Sequence, residues 1–203
     1  MTTLLEIPLR DAAPSVMQDL LAKYPQAMLR IEAENGLHSG AMDEEQFWAV
    51  LDLLDWKHRD SDTVLAPAVA ALSQFSKSDI AAFHDILAEK LYALDGRRFA
   101  EHLGSNRYSA AGDKRFSVDG FLYARCCVVA NGRDFFEKVL ADPTKMPKEY
   151  TFESLLYLPR EAWKLKTGRD DYDHHPETWY ETFSNPAGWP GIIPLKDRIL
   201  SLA

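Results

Sequence analysis

The 203-residue sequence predicts a mainly α-helical protein, a compact multi-helix body built around one buried helix. Two observations carry that fold class. From Phe121 to Ala130 the chain is apolar on every side apart from Arg125, and a helix without a polar stripe belongs inside a protein. Between residues 42 and 168 apolar residues recur at intervals of three and four, the spacing of a buried helix face. The composition, 46% hydrophobic and 27% charged, supplies enough apolar side chains for one sizeable core.

Residues 1–40 read as a small α/β appendage. Leu4 to Leu9 is extended in pattern, with Pro8 suited to a sheet edge. Val16, Met17, Leu20, Leu21 and Tyr24 follow at helical spacing, and Ala27 to Ala33 alternates as a strand does. Two strands alone are marginal, so this unit is expected to lean on the helical body or on a second chain.

Residues 41–168 read as the helical domain. Asp43, Glu44 and Glu45 place negative charge at a helix start, where the peptide dipoles favour it. Phe47, Val50, Leu51 and Leu54 then form a buried stripe, with Trp56 at its end. A second helix runs through Val64, Leu65, Val69, Leu72 and Phe75, and Pro67 requires it to start close before. Ser76 or Ser78 opens a third, carried by Ile80, Phe83, Ile86, Leu87, Leu91 and Leu94 until Asp95-Gly96 interrupts it. Arg97 to Leu103 is a short segment, and residues 104–116 form a loop. The central helix lies between a Ser117 cap and the Asn131-Gly132 stop, which bound it to about 117–132. A short helix spans Asp134 to Leu140. A last long helix is expected from a Thr151-Phe152-Glu153 cap to Thr167-Gly168, delayed or kinked by Pro159. Residues 169–203 are irregular, dense in aromatics and prolines, and expected to pack on the helical domain as an ordered tail.

These segments carry a resemblance. Asp43-Glu44-Glu45-Gln46-Phe47-Trp48, Asp119-Gly120-Phe121 with Arg125, and Gly132, Arg133, Phe136 with Ala141-Asp142-Pro143 are similar in order and spacing to the bacterial domain-of-unknown-function 4240 family. Leu155-Leu156-Tyr157, Glu161-Ala162 and Lys166-Thr167-Gly168 extend the match to about residues 42–168. Some members of that family occur beside WGR modules. The resemblance implies a compact, mainly helical fold and no particular activity.

The formal charge of -8 repels phosphate backbones, which argues against nucleic acid as the main partner and suits a basic protein partner. No run reaches the ~18 uncharged apolar residues of a membrane span, and the amino terminus does not read as a signal peptide. Cysteine usage is sparse, and neighbours on a helix such as Cys126 and Cys127 diverge by about 100°. Cytoplasm is therefore the expected location, with no membrane partner.

Arg125 is the most informative single residue. A guanidinium among Phe121, Leu122, Cys126, Val128 and Val129 must find an anionic partner or expose its head along its stem, because an unpaired buried charge is very costly. Glu153 and Glu161 are the candidates. In a structural reading the pair fixes helix register. In a functional one, Asp119, Arg125 and Arg133 surround a pocket for a small anion, since a forked donor suits carboxylate or phosphate. Among Asp170, Asp171, Asp173, His174, His175 and Glu177, the two histidines are weak metal candidates, and a solvated acidic loop is the plainer reading. No cofactor motif and no catalytic constellation stands out. The sequence thus points to a non-catalytic interaction or regulatory module, an immunity-type protein being its specific version, with a purely structural homodimer completed by the amino-terminal strands as a separate reading. The rival is an enzyme or anion binder at the Asp119, Arg125 and Arg133 pocket.

Overall fold

The computed structural model describes residues 22–23, 42–109 and 116–192. The chain divides into two compact units, Met1–Glu34 and Asn35–Ala203. Of the first unit only Ala22 and Lys23 are described, and both are helical. The two strands expected there lie outside the described residues.

Seven α-helices make up the described part of the second unit: α1 Glu44–Leu51, α2 Ser61–Leu72, α3 Lys77–Ala93, α4 Arg97–Ala100, α5 Val118–Ala130, α6 Arg133–Ala141 and α7 Leu158–Thr167. Among the described residues there is no β-strand. Helix starts follow from local chemistry. Asp43 caps α1 by accepting Gln46 N–H at 2.8 Å while the Gln46 side chain accepts Asp43 N–H at 3.0 Å, so two orphan donors are satisfied reciprocally. The side chains of Asp60, Ser76 and Ser117 likewise accept a first-turn N–H of α2, α3 and α5.

Helix α5 is central. Phe121, Leu122, Ala124, Cys126, Val128, Val129 and Ala130 are all buried, and it packs against α3, α6 and a 3₁₀ turn at Glu153–Tyr157. Helix α3 shares the interior through Ile80, Phe83, Leu87 and Leu91, packing on α1, α5 and α7. Gly132 separates α5 from α6 with φ +86°, a conformation that an L side chain adopts only at a cost. It lets the chain reverse at once and begin the next helix.

Three local expectations need correction. The last helix does not start at the Thr151 to Glu153 cap. Pro159 lacks an N–H and its ring would strike the carbonyl four residues earlier, so the α-helix begins at Leu158 and residues 153–157 tighten into the 3₁₀ turn. Pro67 lies well inside α2 rather than at its start. It is tolerated because Pro67 and Thr63, whose carbonyl loses its helical donor, both lie on the exposed face. Trp56 does not extend the buried stripe of α1, which ends at Leu51. It is 48% exposed, and the buried ring is Trp48.

Candidate functional site

The described tail, residues 169–192, has no regular secondary structure and runs along the helices in sequence order. Asp170 bonds Arg160 at 2.8 Å and Asp171 accepts the Trp163 indole N–H at 2.9 Å, both on α7. The tail then reaches the middle of α3, where His174 meets Asp85 at 2.8 Å and Tyr172 meets His84 at 3.2 Å. It finishes at the end of α3, against Asp95.

Asp95 is 1% exposed, yet its carboxylate is fully satisfied. It accepts the backbone N–H groups of Phe183 (3.2 Å), Ser184 (2.7 Å) and Asn185 (2.9 Å) and the indole N–H of Trp189 (2.7 Å). Successive N–H groups converge on one anion only if the backbone alternates in handedness, which makes a concave nest. Phe183 supplies the left-handed step with φ 73°, a strained conformation for a bulky residue. Tail and helix also meet backbone to backbone. The Arg97 N–H donates to Gly188 O at 2.8 Å, and a Cβ on Gly188 would fall 2.1 Å from the Asp95 carbonyl oxygen, so only glycine fits.

Arg125 meets the same tail and is wholly buried. Its Nη1 donates to Leu91 O on α3 and Tyr180 O on the tail, each at 2.9 Å, and its Nη2 donates to Thr182 Oγ1 at 3.0 Å. Thr182 passes its own hydroxyl proton on to Val118 O at 2.9 Å. The Phe121 ring lies 4.8 Å from the guanidinium carbon and contributes a cation–π contact. Burial pushes the Arg125 pKa down, and the negative charges of Asp95 and Glu181 oppose that. The partners are thus two carbonyls and a hydroxyl, not Glu153 or Glu161. Glu153 accepts instead from the Tyr157 hydroxyl at 3.0 Å.

The other sequence-derived residues lie as follows. Asp119 is exposed at the start of α5. Arg133 turns to α1, where Glu45 accepts from it at 2.7 Å. Among the described residues, an open depression beside Arg97, Arg98 and Gly188 and another beside Leu53 and Trp56 are both lined without Asp119, Arg125 or Arg133. His174 is bonded to Asp85, and among the described residues no three His, Cys, Asp or Glu side chains gather as a metal site would require. Burial pushes the Cys126 thiol up to about 12, which leaves it protonated and a poor nucleophile.

With this geometry in place, comparison with known proteins identifies the family. The model of a protein family of unknown function, DUF4240, matches residues 42–164. The chain belongs to the DUF4240 family. No curated protein and no solved structure matches it. The DUF4240 match contains Arg125 and Asp95 but stops before Tyr180, Thr182 and the nest, so in this member Arg125 finds two of its three partners, and Asp95 all four of its donors, outside the matched region. Sequence reasoning missed Asp95, taking Asp95-Gly96 as a helix stop. Its only signal was an aspartate directly following Leu94 in an apolar register.

The buried charges and His84 each lead to a measurable expectation. Arg125→Met should destabilise the chain by about 3 to 5 kcal/mol, since the buried Leu91 and Tyr180 carbonyls and the Thr182 hydroxyl would lose their charged donor. Asp95→Asn, nearly isosteric, should lose about 2 to 3 kcal/mol because an amide nitrogen would then face N–H donors. Urea unfolding of both variants measures this, and wild-type stability in either would contradict it. The second expectation concerns His84, whose pKa burial and the neighbouring His174 lower from 6.5 to about 4, with Asp85 opposing. Between those values the unfolded chain takes up a proton that the folded chain refuses, so stability falls as pH falls through that window. Wild type should lose about 2 kcal/mol more than His84→Gln between about pH 7 and pH 5. Parallel pH profiles would contradict the assignment.

Proposed function

We propose that this DUF4240 member is a non-catalytic, cytoplasmic protein-interaction module whose partner is a basic protein. The carrying observation is where Arg125 and Asp95, the two most deeply buried charges among the described residues, are directed. Arg125 and Asp95 hold the chain's own tail, so the most chemically distinctive side chains act as scaffold and not as substrate contacts. A scaffold closed in this way presents a fixed outer surface, and a formal charge of -8 favours a basic partner through long-range attraction and faster encounter. Both cysteines are free thiols, in keeping with a reducing compartment. Among the described residues no helix is long and apolar enough to cross a membrane.

A second reading, an anionic-ligand binder or enzyme using Asp119, Arg125 and Arg133, is favoured by one observation. The Nε atoms of Arg125 and Arg133 are sealed from solvent and have no hydrogen-bond partner among the described residues. Titration calorimetry with inorganic phosphate and with acetate separates the two readings. The interaction reading expects no saturable heat, and saturable binding abolished by Arg133→Met would favour the ligand binder.

The interaction reading is tested by immobilising the full chain and passing lysate of its source cells over it at low and high salt (about 0.05 and 0.5 M). A basic protein retained saturably at low salt and released at high salt is the expected result. Absence of any saturable, salt-sensitive partner would overturn it.

A further inference from the structure

The depression beside Leu53 and Trp56 lies in the connection from α1 to α2. Trp56 is 48% exposed and Leu53 is 46% exposed, side by side in the lining of an open hollow of about 570 Å³ with Pro67. A tryptophan so exposed is uncommon in a monomer surface, and tryptophan is enriched among residues that anchor protein interfaces. Its position is fixed. One part of the ring packs on Phe152, with centroids 5.0 Å apart, and the flanking backbone is pinned by Asp55 N–H to Val64 O at 3.0 Å. A ring already held in place has little conformational entropy left to lose on binding.

The indole N–H groups divide the five tryptophans. Trp48, Trp163 and Trp189 donate to Glu44, Asp171 and Asp95. Among the described residues, Trp56 and Trp179 make no such bond. Among the described residues Trp56 therefore combines an indole N–H without a partner with a ring that is about half exposed beside Phe152.

Charge decides what that face receives. Asp52 and Asp55 line the same hollow, against Lys57 alone on the positive side. Asp55 is shared with His58 at 3.6 Å and with the Lys57 backbone N–H at 3.2 Å, whereas Asp52 makes no ion pair among the described residues. The hollow also lies just past the carboxyl end of α1, where the helix dipole adds negative potential. A flat ring, two carboxylates and a negative helix end suit a planar cation better than any anion or neutral group.

We propose that this hollow is the docking site for an arginine side chain of a basic partner protein, the guanidinium stacking on Trp56 and bonding Asp52 and Asp55. The proposal deepens the interaction reading above and rests on it.

The test uses the full chain with its tryptophan indoles labelled with nitrogen-15, titrated at constant ionic strength. The probes are three short glycine-spaced peptides carrying arginine, lysine or glutamate. The Trp56 indole resonance is expected to shift saturably with the arginine peptide, weakly with the lysine peptide and not with the glutamate peptide, while exposed Trp179 stays still. In titration calorimetry with the arginine peptide, Trp56→Leu, which keeps an apolar contact to Phe152, should abolish the saturable heat seen with wild type, and Asp52→Asn should weaken binding by about threefold. If the arginine peptide shifts other resonances and leaves Trp56 unmoved, or if Trp56→Leu binds like wild type, this site is overturned while the interaction reading stands. Equal shifts with arginine and lysine would overturn the guanidinium assignment. Failure of the lysate experiment as well would bring down the interaction reading itself.

Discussion

A charge can remain inside a protein only if other groups replace the water it has lost, and in this chain that demand falls on Arg125 and Asp95 together. Neither charge is neutralised by direct contact with the other. The tail serves both, giving carbonyl and hydroxyl oxygens to the guanidinium and N–H groups to the carboxylate. The arrangement also offsets a strained backbone at Phe183, for which a left-handed conformation costs of the order of 1–3 kcal/mol.

This polar clasp explains how a tail without helix or strand becomes part of the body. Irregular segments leave their backbone groups unsatisfied unless side chains or water meet them. Here α7 meets the first part through Arg160 and Trp163, α3 meets the middle through His84 and Asp85, and the end of α3 meets the rest through Tyr92 and Asp95. Trp189 then closes the apolar side, with its ring edge-on to Phe121, Phe183 and Tyr108. Apolar packing and the buried charges therefore act on the same few residues, between Tyr180 and Trp189.

The helical body was legible in the sequence because its signals are local. A Ser117 cap, a run apolar on all sides and the Asn131-Gly132 stop each act over one or two turns, and α5 forms between them. Boundaries set by proline were less legible, as at Pro159, because tertiary packing decides whether a turn tightens or unwinds. The partners of Arg125 were not legible at all. The rule that a buried cation needs an anion directs attention to Glu153 and Glu161, whereas backbone carbonyls carry no sequence signature and can come from any segment that packs there. Asp95 was hidden for the same reason, since its four donors are three peptide groups and an indole lying 88 to 94 residues away. The outward face of Trp56 was concealed by a helical spacing that continues on paper past the point where α1 ends.

If the clasp binds the tail to the core as one unit, the backbone amides of Ser184 and Asn185 are the places to look. Native-state hydrogen exchange measured at increasing denaturant reports whether an amide opens locally or only when the whole molecule unfolds. The account predicts that both exchange through global opening, with the same free energy as Val128 and Val129 in α5. Exchange of Ser184 and Asn185 through a low-energy local opening, while α5 remains protected, would contradict it.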